Sequence, residues 1–279
     1  MKKNIKPINY VQSYVAFLDV LGFKELVYSK KDVDKEKLEK YFHHIEKFIN
    51  YLKTTPIKSD LDIGYIVISD SIIITVKHSV SKEDNIKILR HLCIAIGFLQ
   101  SLLSVLDIWL RGGVSSGETY FDKANNQIIG KAYIEAYLLE EKLVSNPHVV
   151  LDNKIINELG FKNSDELINE INEKSNDGLS FDNCGKTILY DWNNSNFIEK
   201  EFPLFVDYLS FFFNPNNSVN ITKDNLKAIE MIIQNVEKNI YIKTALYKKY
   251  KWLANYILSI NETNPSDENK EYINRLKKL

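Results

Sequence analysis

The stretch DIGYIVISDSIIITV, residues 62–76, has the composition of two β-strands joined by the short polar turn Ser69-Asp70-Ser71. β-Branched residues dominate both arms, and such residues suit the pleated surface of a sheet. An earlier apolar run over residues 14–17 ends in Leu18-Asp19 and predicts another strand. Both segments therefore carry an aspartate, one at the end of a strand and one at the tip of a hairpin.

The flanking sequence predicts the other elements of a mixed fold. Apolar residues at helical spacing predict a helix over 32–52. Ser81, with Asp84 three residues later, is a capping-box signal for a second helix that ends near residue 106. Three more predicted elements follow: a strand over 108–120, a helix over 128–143 and a strand over 148–151. The order β-α-β-β-α-β-α-β predicts an α+β fold, with a ferredoxin-like βαββαβ core and an added α-β unit.

The pattern divides the chain into two predicted parts. Residues 1–155 hold the core, and residues 156–279 form a mostly helical extension with a few strands, packed on the core or on a dimer. Within the extension, a polar break at 172–180 predicts a loop and residues 188–192 predict a strand.

Composition limits the classes of partner. The 279 residues include 44% hydrophobic ones and carry a net charge of −1, so no global field steers the protein toward nucleic acid or anionic lipid. Cys93 and Cys184 are the only cysteines, which favours a reducing cytoplasm. The apolar run at 92–110 contains Gln100 and Asp107, and we interpret it as a buried helix that runs into a strand rather than a membrane span.

Asp19 and Asp70 are the candidate metal ligands. In a βαββαβ sheet the first and third strands are central neighbours, so the two carboxylates should meet at one edge. Two carboxylates that close together repel each other, and they persist only if one is protonated or a cation lies between them. Two carboxylates with substrate phosphates are what Mg²⁺ accepts, and two such ions promote phosphoryl transfer. The turn that follows Asp19, residues 20–24, would offer its backbone N–H groups to substrate phosphates. The alternative is that Asp19 caps that turn and Asp70 is an ordinary hairpin residue.

Four motifs carry a resemblance to a known family: FLDVLGF at 17–23, ISDS at 68–71, LRGGVSSGE at 110–118 and GKAYIEAYLLE at 130–140. In this order they resemble the catalytic domain of class III nucleotidyl cyclases. They look closest to the bacterial pyrimidine cyclases of the Pycsar antiphage defence system. The resemblance covers about residues 13–152, roughly half of the chain.

The resemblance implies a phosphorus–oxygen lyase that converts UTP or CTP to cyclic UMP or cyclic CMP and pyrophosphate. It favours UTP, because uridylate cyclases are the commoner members. It implies a head-to-tail homodimer, with two Mg²⁺ or Mn²⁺ ions held by Asp19, Asp70 and the carbonyl of Val20. The cyclic product would activate a separate effector in the infected cell.

The resemblance also assigns substrate contacts. Ile66 and Gln127 stand where purine cyclases carry their base-reading pair, and their chemistry disfavours a purine. Phosphate contacts fall to residues of the turn after Asp19, namely Leu21, Gly22, Phe23 and Lys24.

Several positions depart from the family pattern. Ile134 and Leu138 replace the transition-state asparagine and arginine, and Glu118 replaces a phosphate-binding arginine. Arg111, Lys131 and Lys24 are the candidate cations that could act instead, with Arg111 as a catalytic residue. Tyr133 and Tyr137 lie on one helix face, where either could stack on a base or pack in the core. These departures leave open a second hypothesis, a non-catalytic nucleotide-sensing or partner-binding module.

Overall fold

The computed structural model describes residues 7–54, 62–173, 187–192, 197–213, 223–263 and 270–279. The predicted loop at 172–180 lies outside these ranges except for its first two residues, which end a helix.

A six-stranded mixed sheet forms the centre of the described structure. Its strands are β1 (Val11–Leu21), β2 (Ile63–Ile68), β3 (Ser71–Lys77), β4 (Trp109–Asp122), β5 (Gln127–Gly130) and β6 (Val149–Leu151). The spatial order is β2-β3-β1-β4-β5, with every neighbouring pair antiparallel, and β6 pairs parallel to β4. The first and third strands are therefore adjacent at the centre, as the predicted order requires.

Helices flank the sheet and build most of the C-terminal region. They are α1 (Phe23–Tyr28), α2 (Asp32–Thr54), α3 (Lys82–Val105), α4 (Lys131–Leu138), α5 (Lys154–Glu158), α6 (Ser164–Glu173), α7 (Ser210–Phe213), α8 (Lys223–Asn239), α9 (Thr244–Thr263) and α10 (Lys270–Leu276). A π-helical turn, Leu139–Leu143, continues α4. The α+β class predicted from the sequence is confirmed.

The strongest local signals are confirmed. The two-residue turn Ser69-Asp70 joins β2 to β3, with Ile68 paired opposite Ser71. The Ser81 hydroxyl caps α3 by accepting a hydrogen bond from the Asp84 N–H at 3.3 Å.

Two element predictions are wrong. The helix predicted over 128–143 begins only at Lys131, because residues 127–130 form β5 and pair with 119–122 of β4. Pairing with an existing strand satisfies the backbone groups there and overrides the helical pattern. The strand predicted over 188–192 is reduced to a single bridge between Leu189 and Val206.

The two faces of the sheet are covered differently. Tyr14, Ala16 and Leu18 of β1 pack with α2 and α3 in the main hydrophobic core. The alternate residues Val15 and Phe17 pack on the opposite face, in a small cluster with the alanines of α4. Because successive side chains of a strand point to opposite faces, Asp19 continues the series on the α4 face.

Helix α3 contains most of the apolar run at 92–110. Of the described helices it alone is long and apolar enough to cross a membrane, and 83% of its apolar window is buried inside the molecule. Burial of that kind is typical of the core helix of a soluble protein. The run continues into β4 as expected, since the strand begins at Trp109.

The C-terminal extension packs directly on the sheet. A second hydrophobic cluster joins α8 and α9 to Trp109 of β4 and Val150 of β6. A bridge between Val150 and Phe205 extends the pairing of β6.

Asp207, a buried carboxylate, links segments that pack in this second cluster. It accepts hydrogen bonds from the Ser210 N–H at 3.1 Å, the Ser210 hydroxyl at 2.6 Å and the Tyr256 hydroxyl at 2.7 Å. Burial raises the pKa of Asp207 above its ordinary value of 3.8, and these hydrogen bonds offset only part of that effect.

Replacement of Asp207 by asparagine should therefore preserve the fold and remove a pH-dependent loss of stability. A raised pKa means that the folded state holds the proton more tightly, so the free energy of unfolding falls as pH rises above 3.8 toward the folded pKa. Asp207→Asn should abolish this decline in urea unfolding measured from pH 4 upward. Asp207→Ala, which removes the acceptor of the Tyr256 hydroxyl, should cost about 3 kcal/mol. Equal pH slopes for wild type and Asp207→Asn would contradict this account.

Candidate active site

Asp19 and Asp70 meet at one end of the sheet. Asp19 lies near the end of β1, directly opposite Ser71 of β3, and Asp70 immediately precedes that serine. The Val20 N–H donates a hydrogen bond to the Asp70 carbonyl oxygen at 3.2 Å, which fastens the hairpin tip to β1. Ser69, the first residue of the turn, has a φ of 56°, a conformation that costs a non-glycine residue about 1 kcal/mol. The backbone therefore holds the two acids together at the cost of some strain.

The electrostatics of Asp19 reflect this proximity. Burial is the largest cause of its raised pKa, and the nearby charge of Asp70 raises it further. Arg111 acts in the opposite direction. The Asp19 side chain is 21% exposed, so it is open enough to meet a ligand.

Arg111 supplies a cation beside the acids. It stands opposite Asp19 in the β1–β4 register, and its Nε lies 3.6 Å from Asp19 Oδ2. The same Nε lies 2.6 Å from Glu140 Oε1, and Nη1 donates a hydrogen bond to the Val144 carbonyl at 3.2 Å. Arg111 is thus placed where it can bind an anion at the acid pair.

Glu140 was not singled out by the sequence analysis. It lies on the π-helical turn after α4 and is only 4% exposed. A signal was present, because Ala132, Ala136 and Glu140 follow one another at intervals of four and so share the buried face of a helix. A carboxylate on such a stripe requires a buried partner, which here is Arg111.

Tyr41 of α2 is a second residue that the sequence analysis missed. Its hydroxyl donates a hydrogen bond to the Ser69 carbonyl at 3.4 Å, beneath the tip of the hairpin. Burial raises the pKa of Tyr41, and the charges of Asp70 and Asp19 raise it further. Tyr41 therefore remains a neutral hydrogen-bond donor close to both acids.

An apolar surface lies beside the acids on the same face. The Phe17 ring meets Tyr137 edge-on at 5.3 Å and lies 6.4 Å from Tyr133. Ile66 is partly buried against this cluster, and neighbouring Ile68 is 62% exposed. Both tyrosines thus take part in packing, while the surface around them remains open to an apolar ligand or partner.

Two predicted contacts lie apart from the acids within one chain. Gln127 is exposed and pairs with Asp122, at the opposite end of β4 from Arg111. Lys131 opens α4 and lies 3.5 Å from Glu118, with both side chains largely exposed. The structure therefore does not bring either residue to Asp19 within a single chain.

Part of the turn after Asp19 is already occupied by packing and hydrogen bonding within the chain. Phe23 is buried against Tyr41 at 5.5 Å, and Leu21 packs against the second hydrophobic cluster. Gly22 turns the chain with a φ of 80°, and Lys24 is exposed. The Val20 N–H is bonded to the Asp70 carbonyl and so is not free for phosphate, while the phosphate contacts predicted for Leu21, Gly22, Phe23 and Lys24 stay predictions.

Gly113 allows α4 to lie directly on β4. A Cβ atom at this position would come within 2.5 Å of the Ala136 carbonyl oxygen and 2.6 Å of the Leu139 Cβ. Only glycine permits this separation, which brings the π-helical turn and Glu140 to the acid pair.

The acids fit a metal ion only with help from other ligands. Among the described residues, no group of three His, Cys, Asp or Glu side chains is arranged to hold an ion. Asp19 and Asp70 are hard oxygen donors whose mutual repulsion a divalent cation would relieve, and substrate phosphates can complete the coordination of Mg²⁺. The two acids alone are therefore an incomplete set of ligands for such an ion.

Comparison with known proteins adds no assignment, because no protein-family model matches the chain and no curated protein matches it in sequence.

Mn²⁺ should stabilise the folded protein through Asp19. A ligand that binds only the folded state adds about 2.7 kcal/mol when its concentration is a hundred times its dissociation constant. Asp19→Asn should abolish the Mn²⁺-dependent rise in melting temperature. Asp165→Asn, which alters an exposed aspartate of α6 paired with Lys200, should retain it. An undiminished rise for Asp19→Asn would exclude Asp19 as a ligand.

Gly113→Ala should displace α4. The added methyl group meets backbone rather than a flexible side chain, and overpacking of this kind costs about 1–3 kcal/mol. The measurements are urea unfolding and a crystal structure of the variant, with a longer distance expected between Arg111 and Glu140. Unchanged stability would show that α4 adapts without strain.

Proposed function

We propose that the chain is a metal-dependent pyrimidine nucleotidyl cyclase, a phosphorus–oxygen lyase that forms cyclic UMP or cyclic CMP. The observation that carries the proposal is the convergence of Asp19, Asp70 and Arg111 beside an open apolar surface. Two acids with one arginine suit phosphoryl transfer, in which positioning and charge stabilisation supply most of the catalysis.

The sheet supports a cyclase core of the ferredoxin-like type. Its strands β1 and β3 are central neighbours, and the intervening helices α2 and α3 pack on the face opposite α4. This arrangement puts the acid of the first strand next to the acid of the hairpin, which is the relation that the resemblance to class III cyclases requires.

The residues near the acids have distinct tasks in the proposed reaction. Asp19, Asp70 and the Val20 carbonyl would hold two Mg²⁺ or Mn²⁺ ions, which lower the barrier by neutralising phosphate charge. The 3′-hydroxyl oxygen of the ribose attacks the α-phosphorus, the bond from that phosphorus to the bridging oxygen breaks, and pyrophosphate leaves with the hydroxyl proton. Arg111 would bind the α-phosphate as negative charge shifts toward the leaving group.

The apolar surface supports a pyrimidine substrate and a second subunit. Ile66 offers no polar group that would select a purine. We propose UTP rather than CTP as the substrate only because of the resemblance to the family, in which uridylate cyclases are commoner. Gln127 and Lys131 lie apart from the acids of their own chain, which suits a head-to-tail homodimer that completes each site from two chains. Ile68, Ile129 and Ile134 are 62%, 46% and 51% exposed and would be covered by the partner.

The proposed setting is the cytoplasm of an infected bacterium. There the cyclic nucleotide would act as a second messenger for a separate antiphage effector. This part of the proposal rests on the resemblance to the Pycsar cyclases.

A non-catalytic nucleotide-sensing module is the alternative. The exposed Ile134 favours it, because the resembled family carries a polar transition-state residue there. Calorimetry with UTP and CTP distinguishes the two, since a sensor binds nucleotide tightly without consuming it.

The purified protein should convert UTP or CTP, with Mn²⁺ or Mg²⁺, to the cyclic monophosphate and pyrophosphate. Chromatography of reactions with UTP, CTP, ATP and GTP is the measurement. Asp19→Ala and Asp70→Ala should each lower kcat/KM by about a thousandfold or more, because each removes a metal ligand. Asp165→Asn serves as the control. If all four triphosphates survive incubation with folded protein, the proposal fails.

A further inference from the structure

The guanidinium of Arg111 lies closer to two other groups than to Asp19. Its closest contact is with Glu140, at 2.6 Å, and its Nη1 is bonded to the Val144 carbonyl at 3.2 Å. The distance from Nε to Asp19 Oδ2 is longer, at 3.6 Å. Glu140 is also the more buried partner, with a side chain 5% exposed against 21% for Asp19.

These contacts use only part of the guanidinium fork. Nε lies close to both carboxylates without an aligned hydrogen bond to either, and Nη1 donates to the Val144 carbonyl. Within the described residues Nη2 makes no hydrogen bond. Arginine can bind an anion at one edge while the other edge is fixed, which a lysine ammonium cannot do in the same way. The free edge belongs to a side chain that is 28% exposed, so it is accessible from solvent.

Cations at the acid pair would change the forces on Arg111. A divalent ion on Asp19 cancels the attraction between that carboxylate and the arginine, and it repels the guanidinium. The attraction to Glu140 persists, because that carboxylate is buried and lies on the π-helical turn after α4, which packs closely on β4. Without Glu140, repulsion would favour movement of Arg111 into solvent.

We propose that Glu140 is a positioning residue that keeps Arg111 in the site when Asp19 and Asp70 hold metal, so that Arg111 can bind the α-phosphate. The proposal rests on the cyclase function proposed above. It explains how this chain can act without the polar residues that the family carries at positions 134 and 138, since its arginine comes from β4 and is fixed by the helix instead.

A double-mutant cycle tests the proposal with Arg111→Gln, Glu140→Gln and the double variant. Arg111→Gln should lower kcat about a hundredfold, as expected for loss of one group that stabilises transition-state charge. Glu140→Gln should lower kcat about tenfold. The double variant should be no slower than Arg111→Gln, because a residue that acts through Arg111 has no effect once the arginine is gone.

Two further measurements separate positioning from other roles. Mn²⁺ affinity, measured by calorimetry, should fall only slightly in Glu140→Gln, which removes a negative charge near the acids, and should rise in Arg111→Gln, which removes a positive charge beside Asp19. The melting temperature of Glu140→Gln should stay within a few degrees of wild type. Glu36→Gln, at an exposed glutamate of α2 that pairs with Lys40, is the control and should alter none of these values.

Three results would overturn the proposal. A loss of Mn²⁺ affinity in Glu140→Gln as large as that in Asp19→Asn would make Glu140 a metal ligand. Multiplying losses of kcat in the double variant would show that the two residues act independently. An unchanged kcat with a lowered melting temperature would show a purely structural role.

The failure of the proposed function would be recognised separately. If wild type leaves all triphosphates intact, the same cycle is measured as affinity for α,β-methylene-UTP with Mn²⁺. A loss of affinity in Glu140→Gln that is no larger than the loss in Arg111→Gln, with no further loss in the double variant, would still support positioning by Glu140. Failure of wild type to bind this analogue would overturn both proposals.

Discussion

One main-chain hydrogen bond determines the chemistry of this end of the sheet. The Val20 N–H bonds to the Asp70 carbonyl, and this contact, with the β1–β3 register, brings two carboxylates together whatever their charge. The fold therefore carries an electrostatic cost that a nearby positive charge, or protonation of one acid, offsets. Arg111 supplies part of that positive charge, and the divalent cations proposed for this site would supply the rest.

The second requirement is the close contact between α4 and β4. Because Gly113 has no side chain, the helix lies directly on the strand, and the π-helical turn that follows places a buried carboxylate against Arg111. π-Helical turns are frequent at functional sites, where the extra residue redirects a side chain. Here the π-helical turn and the close packing of α4 on β4 both bring Glu140 to Arg111.

The sequence predicted the parts of the site that depend on strand ends. Asp19 and Asp70 could be located because β-branched runs and a polar turn mark the ends of β1 and the tip of the hairpin. Glu140 and Tyr41 were missed because their roles depend on helix–sheet contacts, which spacing alone does not reveal. The helix predicted over 128–143 was wrong at its start, because residues 127–130 pair with residues 119–122 of β4. Such pairing depends on the neighbouring strand and cannot be read from the local sequence. Gln127 and Lys131 stay predictions that depend on a second chain.

The bridge between Val150 and Phe205 connects the C-terminal extension, through β6, to the part of β4 that carries Arg111. β6 pairs with Gly112 and Gly113, next to Arg111, while Phe205 belongs to the second hydrophobic cluster. The two parts of the chain therefore share one cooperative unit rather than opening independently. Amide hydrogens in α8 and α9 would exchange more slowly once a ligand occupies the acid pair, because their cluster includes Leu21 and Trp109 beside it. A fragment ending at residue 155 would expose the apolar side of β6 that the extension covers, and would aggregate.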